Sequence, residues 1–416
     1  MQNMAEAIAV DHGLVAMIPR INIHAFCDNQ QTAQAMQAAA ADRRMSRSHV
    51  SIQLGGIMAA VQAFSGQPTP NVLIVESHSQ RDMVLAELAQ LSQVCGPDTK
   101  VIVIGHLNDV LLYRELMRQG ISEYLVAPLH QLQIIEAISG LFKDPAAKPL
   151  GRIFAFVGAK GGVGSSTIAH NFGWMSSRTF GQDTVITDLD LAFGTAGLNF
   201  NQESSQGMVD ALGQPDRVDN TLIDRLLTKC GEKLSLLASP GMMDREINIE
   251  SHGVETILSI IRSTVPAVVV DVPNMWAPWI KHTLVQADDV IITATPDLPC
   301  LRNTKNLIDL LKAARPNDKL PRLVLNQVGV PKRPEIPAAE FAKAAGLEFA
   351  AVIPHDPQSF GTASSNGQML LEVAPKSKAA EAITGLVNGI LGTEKAAKSS
   401  KFSLPFLGNL PFMRKK

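Results

Sequence analysis

The feature that most constrains the fold of this chain is a regular alternation of short apolar runs with longer helical patterns. It extends along most of the 416 residues. Parallel strands need a crossover between them, usually a helix, so this alternation indicates mostly parallel sheets. The apolar runs are continuous rather than alternating, which is typical of strands covered on both faces. The sequence therefore predicts an α/β protein.

The alternation falls into two blocks. Residues 21–143 contain the strand-like runs INIHAF, NVLIVE, VIVIG and EYLVA, and residues 144–151 form a linker with two prolines and a glycine. Residues 152–392 contain the runs IFAFVG, DTVITDLD, LSLLAS, AVVVDV, DVIITAT, RLVLNQ and FAAVIP. We expect residues 1–20 to be a flexible lead-in and residues 393–416, which mix basic and apolar residues with prolines, to be a tail that is not one regular helix.

Composition restricts the function only broadly. The formal net charge is -2, so the chain as a whole implies neither nucleic acid nor an acidic membrane as a partner. Four widely spaced cysteines form no CxxC pair, which argues against a zinc site and against a disulfide framework. The first residues do not resemble a signal peptide, and no run of 18 apolar residues is present. We expect a cytoplasmic protein.

A glycine-rich stretch, GAKGGVGSST, covers Gly158–Thr167 between a strand-like run and a helical pattern. Successive N–H groups in such a turn at a helix N-terminus favour an anion. The alternative is a glycine loop that only connects the strand to the helix, but Lys160 and the hydroxyl residues after the loop favour a phosphate site. A phosphate-binding loop has lysine where this chain has Ser165. The predicted phosphate-contacting residues are Gly161, Gly162, Val163, Gly164, Ser165, Ser166 and Thr167.

Carboxylates follow two of the predicted strands. Asp188 and Asp190 end the run DTVITDLD, and Asp271 ends AVVVDV. The carboxyl ends of neighbouring parallel strands meet at the ligand-binding edge of an α/β sheet. Carboxylates there can hold Mg²⁺ or position a water molecule, although each one alone is also a common helix cap.

The loop and the segments TDLDLAFG, VVVDVP, LNQV and IPHDP together resemble the MinD/ParA superfamily of ATPases. The resemblance covers about 240 residues and implies ATP and Mg²⁺ as cofactors. It implies that Lys160 reaches the phosphates of a partner subunit in a face-to-face homodimer and that Asp190 orients the attacking water. It assigns Ser166, Asp188 and Asp271 to magnesium, Thr167 to the α-phosphate, and Asn326, Pro354 and Asp356 to adenine.

Two positions depart from the superfamily pattern. Ala159 replaces the first glycine and Ser165 replaces the loop lysine. Losing an ammonium group about 4 Å from a phosphate removes roughly 4 kcal/mol of attraction, of which about 3 remains as a net loss. A micromolar site would then bind at about 0.1 mM, which millimolar ATP still fills. The same lysine neutralises charge during phosphoryl transfer, so we expect slow or absent hydrolysis.

The first block resembles a response-regulator receiver domain in the order of its elements, which makes it flavodoxin-like. A receiver has an acidic pair after its first strand, and here only Asp28 is present. Glu76 occupies the position of the phosphorylated aspartate, and Ala127 occupies that of the lysine before Pro128. We therefore expect a degenerate receiver that docks or dimerises. Such a domain followed by a MinD-like domain resembles the CpaE and TadZ family of the tight-adherence (Flp) pilus system.

That resemblance implies a protein that organises assembly of the pilus secretion machine, with the secretion ATPase or other pilus proteins as partners. It also implies a position at the inner membrane and at a cell pole. The tail, with Phe402, Phe406 and Lys415 among its residues, is interpreted as a membrane contact, as a docking peptide or as a disordered end with no role. The alternative function is a ParA-like partitioning or regulatory ATPase that binds DNA, but the slightly acidic net charge argues against specific nucleic-acid binding.

Overall fold

The computed structural model describes residues 15, 17–143, 149–202, 206–213, 217–239, 241 and 248–399. It divides into two compact units. The first comprises Met1–Leu150 with Leu311–Lys319, and the second comprises Gly151–Leu310 with Leu320–Lys416. Each unit contains its own sheet, and both sheets are parallel or nearly so. The predicted α/β fold with mostly parallel sheets is confirmed.

The first unit has a five-stranded parallel sheet. Its strands are β1 (Asn22–Cys27), β2 (His49–Leu54), β3 (Val72–Glu76), β4 (Lys100–Gly105) and β5 (Glu123–Val126). Its helices are α1 (Gln30–Ala40), α2 (Gly56–Phe64), α3 (Arg81–Ser92), α4 (Val110–Arg118) and α5 (Gln131–Leu141). The strand order is β2-β1-β3-β4-β5, which is that of flavodoxin-like doubly wound sheets. This order is shared by receivers and by other flavodoxin-like domains.

Successive side chains of a strand point to opposite faces, and β1 shows the result. Ile23, Ala25 and Cys27 pack in one core cluster with residues of α1 and α5. Phe26 packs in the other cluster, with residues of α2, α3 and α4. Helices therefore cover both faces of this sheet, as its continuous apolar strands require.

Sequence reasoning missed two elements of the first unit, β2 and α2. Strand β2 is an edge strand with no buried residue, so its sequence HVSIQL lacks a continuous apolar run. The predicted lead-in is wrong for its last residues, because Ile18 is fully buried in the core and its N–H donates to the carbonyl of Arg44 at 2.9 Å. Residues 1–14 lie outside the described part of the chain.

The second unit has an eight-stranded sheet. Its strands are β6 (Arg152–Gly158), β7 (Thr184–Asp188), β8 (Thr228–Lys229), β9 (Leu234–Leu237), β10 (Ala267–Val272), β11 (Asp289–Ala294), β12 (Arg322–Val328) and β13 (Phe349–Pro354). The order is β13-β12-β11-β6-β10-β7-β9-β8, and only the β8–β9 pair is antiparallel. The short β8 was not predicted. The central strand β6 leads into the glycine-rich loop.

The helices of the second unit follow its strands along the chain. They are α6 (Ser165–Arg178), α7 (Ala196–Asn199), α8 (Met208–Gly213), α9 (Asn220–Leu226), α10 (Ser251–Thr264), α11 (Pro278–Gln286), α12 (Leu298–Ala314, whose residues from Leu311 onward are grouped with the first unit), α13 (Ala338–Ala345), α14 (Pro357–Asn366), α15 (Leu370–Val373) and α16 (Lys378–Ser399). Apolar residues of α6 and α16 pack with β6 in the main core cluster, for example Phe172 and Ile383 with Phe156. This packing holds the start of α6 against the end of β6.

The last helix extends further than expected. Helix α16 continues to Ser399, so the first part of the predicted tail is helical. Residues 400–416, which carry most of the apolar and basic residues of that tail, lie outside the described part of the chain. None of the described helices is both long and apolar enough to cross a bilayer.

Candidate functional site

The predicted phosphate loop connects the end of β6 to the start of α6, as the sequence indicated. Strand β6 ends at Gly158 and α6 begins at Ser165. Gly162 has φ +78° and Gly164, the N-cap of α6, has φ +87°. Side chains rarely adopt this left-handed region, so glycine is the residue that these two positions need. The chain thereby turns sharply into the N-terminus of α6, where anions are favoured.

Side-chain amides from the loop after β10, from α12 and from β12 hold four carbonyl groups of this loop. The hydrogen bonds run from Asn274 Nδ2 to Gly158 O (3.0 Å), from Asn303 Nδ2 to Ala159 O (2.8 Å), from Gln327 Nε2 to Gly162 O (3.0 Å) and from Asn326 Nδ2 to Val163 O (2.8 Å). In contrast, the N–H groups of residues 161–164 have no acceptor among the described residues. The loop therefore keeps these donors available while four of its carbonyls are occupied, which suits an anion.

Ser165 is the first residue of α6 and is buried. Its exposed fraction is 8%, and its Oγ has no hydrogen-bond partner within the described structure. Its Cβ lies 3.7 Å from the position that a Cβ on Gly158 would take. A buried hydroxyl without a partner is costly, so an acceptor at this point would stabilise it. The residue that replaces the usual lysine is therefore a buried hydroxyl without a partner in the described part of the chain.

Lys160 is held by an ion pair within its own chain. Its Nζ donates to Asp297 Oδ2 at 2.7 Å, and this bond raises the pKa of the lysine. Thr295 Oγ1 also donates to Asp297 Oδ2, at 2.6 Å, and the amide of Cys300 donates to Oδ1 at 3.0 Å. Both charged groups are partly exposed, so the pair contributes only about 0.5–1 kcal/mol. Lys160 can therefore leave this position for a stronger anion at small cost.

Asp188 and Asp271 are the buried acidic pair of the site. They are register partners on the adjacent strands β7 and β10 and are 0% and 4% exposed. Burial, and then the charge of Asp271, raise the pKa of Asp188 to about 7. Asp271 Oδ1 has no hydrogen-bond partner in the described part of the chain. Two buried carboxylates with a free oxygen can take a hard cation such as Mg²⁺.

His170 was not predicted, yet it adjoins this pair. Its ring lies on α6, is 1% exposed, and places Nε2 3.4 Å from Asp271 Oδ2. Asn199 Nδ2 lies 2.9 Å from its Nδ1. The sequence did contain a signal for this residue. His170 lies three residues after Thr167 in the helical pattern, and side chains at this spacing share one face of a helix.

Asp190 lies beyond the end of β7 in a tight turn. Its Oδ1 accepts from the amide of Phe193 at 3.0 Å, and its own amide donates to Asp188 Oδ1 at 3.0 Å. Gly194 closes the turn, and a Cβ there would lie 2.5 Å from Asp188 Oδ2. In this structure Asp190 shapes the turn, and its predicted role toward water stays a prediction.

A cleft of about 400 Å³ opens beside the loop. This volume is within the usual range of small-molecule sites. The structure brings five predicted residues to its wall, namely Gly164, Thr167, Asn326, Pro354 and Asp356. Asp356 also caps α14, because its Oδ1 accepts from Ser359 N at 3.0 Å. Wall residues that sequence reasoning missed are His170, Asn171, Asn199, Gln327, His355, Phe360, Ser364, Gln368 and Met369.

Comparison with known proteins identifies the relatives of this chain. No family model matches the chain. A solved ParA family ATPase from Chlorobium tepidum is 29% identical, with a TM-score of 0.52, and the match covers 57% of this chain and 98% of that one. The septum site-determining protein MinD of Synechocystis sp. is 25% identical over 39% of this chain, and the match spans 60% of that protein.

A solved pilus assembly protein CpaE from Caulobacter crescentus is 50% identical over 98% of its own chain and 31% of this one, with a TM-score of 0.31. This similarity rests on the sequence identity and not on the TM-score. The parallel sheet, the glycine-rich loop and these relatives define a member of the MinD/ParA superfamily. Within it, the chain belongs to the CpaE family of pilus assembly proteins.

Proposed function

We propose that this protein binds ATP with Mg²⁺ in the cleft beside the glycine-rich loop and acts as a spatial organiser of a Flp-type pilus machine. The observation that carries the proposal is the loop itself. Four of its carbonyls are hydrogen-bonded, whereas the N–H groups of residues 161–164 and the hydroxyl of Ser165 have no partner among the described residues. A triphosphate would satisfy all of these donors. Asp188 and Asp271 would hold the metal, and Asn326 would face the base.

Hydrolysis would be slow or absent. A hydroxyl at Ser165 donates one neutral hydrogen bond, whereas a lysine ammonium at this place would supply charge worth about 4 kcal/mol at 4 Å. That charge matters most when negative charge develops on the transferred group. The protein would therefore hold ATP as a persistent ligand rather than consume it.

Restoring the lysine tests this proposal. Ser165→Lys should tighten Mg-ATP binding by about tenfold to a hundredfold and raise turnover, because an ammonium would again meet the phosphates. Ser165→Met, of similar length and without charge, is the matched control and should gain neither. Lys160→Ala should abolish any turnover that the Ser165→Lys protein gains. Equal turnover by the wild type and Ser165→Lys would refute slow hydrolysis.

A homodimer through the nucleotide face is part of the same proposal. Five large apolar side chains are exposed on the loops and helix starts that follow β7, β10 and β11: Phe193, Leu198, Met275, Trp276 and Leu298. Exposed apolar residues grouped at one edge of a sheet indicate an interaction surface. A second copy of the chain over this face would cover them and would place its Lys160 near the bound phosphates.

Partners and location are the remaining parts of the proposal. We expect contact with the pilus secretion ATPase or another pilus assembly protein, a degenerate receiver-like role for the first unit in docking, and a cytoplasmic position at the inner membrane and a cell pole. The tail would supply the membrane contact. Flotation with anionic liposomes, comparing the full chain with one that ends at Thr393, tests this point, and equal flotation would remove the tail from the proposal.

A further inference from the structure

A second group of ligand-type side chains lies at the carboxyl edge of the sheet in the first unit. Glu76 ends β3, His78 follows it, and His106 follows the neighbouring strand β4. One ligand atom from each of the three lies within 4.8 Å of the other two. We propose that these residues form a binding site for a zinc-class divalent cation. The cysteine spacing did not indicate it, because none of these three side chains is a thiol.

The chemistry of the donors selects the class of ion. Imidazole nitrogen suits Zn²⁺, Ni²⁺ and Cu²⁺, whereas Mg²⁺ prefers carboxylate, carbonyl and water oxygen. Two histidines and one glutamate also form the protein ligands of zinc sites that keep a fourth position open to water. The group in the first unit therefore differs in kind from the oxygen-only acidic pair in the second unit.

Glu76 is fixed in place before any ion binds. Its side chain is fully buried. Its Oε2 accepts from the amides of Asp28 (2.7 Å) and Asn29 (3.2 Å), and its Oε1 accepts from Asn29 Nδ2 and Thr32 Oγ1, both at 2.7 Å. These four donors hold the carboxyl group at the end of β3. His106 Nε2, 3.0 Å from Oε1, is the remaining contact, and an ion would take the place of the proton between them.

His78 is oriented by a second carboxylate. Its Nδ1 lies 2.7 Å from Asp28 Oδ2, which engages one ring nitrogen and leaves the other for an ion. A carboxylate behind a histidine in this way is the usual outer partner of a metal ligand, because it fixes the tautomer and the ring direction. The rings of His78 and His106 stack with their centroids 3.6 Å apart. Because the nitrogen lone pairs of an imidazole lie in its ring plane, these stacked rings direct them nearly parallel, and one ring has to rotate before both nitrogens can meet one ion.

Closing the site around an ion needs a rotation of one histidine ring and a shortening of the distances between the ligand atoms. Ligand atoms around a tetrahedral Zn²⁺ are about 3.3 Å apart, given bonds of about 2.0–2.1 Å. The present separations, at most 4.8 Å, must therefore shorten by about 1.5 Å or less. The side chains of His78 and His106 are 47% and 30% exposed and can move while Glu76 stays. A cavity of about 200 Å³, lined by His106, Thr32 and Asn29, adjoins the group and gives an ion access.

Zinc uptake by the full-length protein tests the proposal. The assay is competition for Zn²⁺ with a chromophoric chelator, without nucleotide and with millimolar Mg²⁺ present to occupy the oxygen site of the second unit. The wild type should retain one equivalent of Zn²⁺, and the ion should raise its unfolding temperature. The variant His78→Ala/His106→Ala should lose that equivalent and the temperature shift. Glu76→Gln should bind at least tenfold more weakly.

His252→Ala is the control, because His252 is an exposed histidine on α10 of the second unit, and it should bind like the wild type. Circular dichroism of each variant checks the fold, which the partly exposed histidines should not disturb. Co²⁺ in place of Zn²⁺ should give the visible absorption of a four-coordinate ion in the wild type and not in the double variant. The proposal is overturned if the wild type retains no equivalent, or if the double variant retains as much as the wild type. In either case the three residues would serve only as histidine–carboxylate pairs.

Discussion

At the scale of single residues, the raised pKa of Asp188 has a direct consequence for stability. The folded-state pKa of about 7 exceeds the usual value of 3.8, so between these two pH values the folded state holds a proton that the unfolded state releases. The contribution of Asp188 to stability is therefore fully present below about pH 4 and is lost as the pH rises toward 7. Mg²⁺ at the acidic pair would offset this loss.

This argument predicts the pH response of Asp188→Asn. Without metal, the stability of the variant relative to the wild type should improve by about 1–3 kcal/mol between pH 4.5 and pH 7.5, because asparagine cannot ionise. Urea unfolding followed by tryptophan fluorescence measures this, since all three tryptophans, Trp174, Trp276 and Trp279, belong to the second unit. A pH-independent difference would show that Asp188 titrates normally.

The ion pair of Lys160 with Asp297 gives a second prediction for single residues. Asp297→Asn removes the charge that holds Lys160, so the side chain becomes available to a phosphate. The cost to the stability of the free chain should be at most about 1 kcal/mol, because the pair is partly exposed. The Mg-ATP-dependent dimer should strengthen by about twofold to fivefold in sedimentation velocity. A weaker dimer would mean that Lys160 acts from its present position.

At the scale of elements, the close contact between the loop and β12 constrains the site. A Cβ on Gly164 would lie 2.6 Å from Asn326 Nδ2, whereas a Cβ on Gly162 would meet nothing within 4 Å. Both glycines have positive φ, so both alanine variants carry similar backbone strain. Gly164→Ala should in addition displace Asn326 and weaken Mg-ATP binding at least tenfold more than Gly162→Ala does. Calorimetric titration of both variants decides this, and equal losses would contradict a role for Asn326.

The elements also show what sequence can predict. Strands such as β6 and β10 are predictable because they are buried on both faces and read as continuous apolar runs. Strand β2 is not, because it lies at an edge and is half-exposed. The glycine loop and the acidic residues were found from local patterns. Local patterns could not reveal the side-chain amides of Asn274 and Asn303, because the packing of the fold brings them to the loop from distant parts of the chain.

At the scale of the whole molecule, the proposed homodimer depends on the exposed apolar face of the second unit. Trp276 is 56% exposed there and follows β10. A large aromatic residue at the centre of an interface commonly contributes 2 kcal/mol or more, so Trp276→Ser should weaken the Mg-ATP-dependent dimer by roughly thirtyfold.

The matched control for this prediction is Met83→Ser, which changes a similarly exposed apolar residue of the first unit. It should leave dimerisation unchanged. Sedimentation velocity with and without Mg-ATP measures both variants. An unaffected Trp276→Ser dimer, or an equal effect of Met83→Ser, would place the interface elsewhere.

The central claim is that backbone amides and the hydroxyl of Ser165 still bind a triphosphate without the usual lysine. Calorimetric titration of the wild-type protein with Mg-ATP tests it most directly. The account predicts saturable binding of one nucleotide per chain with a Kd on the order of 0.1 mM, weakened by Gly164→Ala. Absence of heat and of any thermal shift at millimolar Mg-ATP would contradict it.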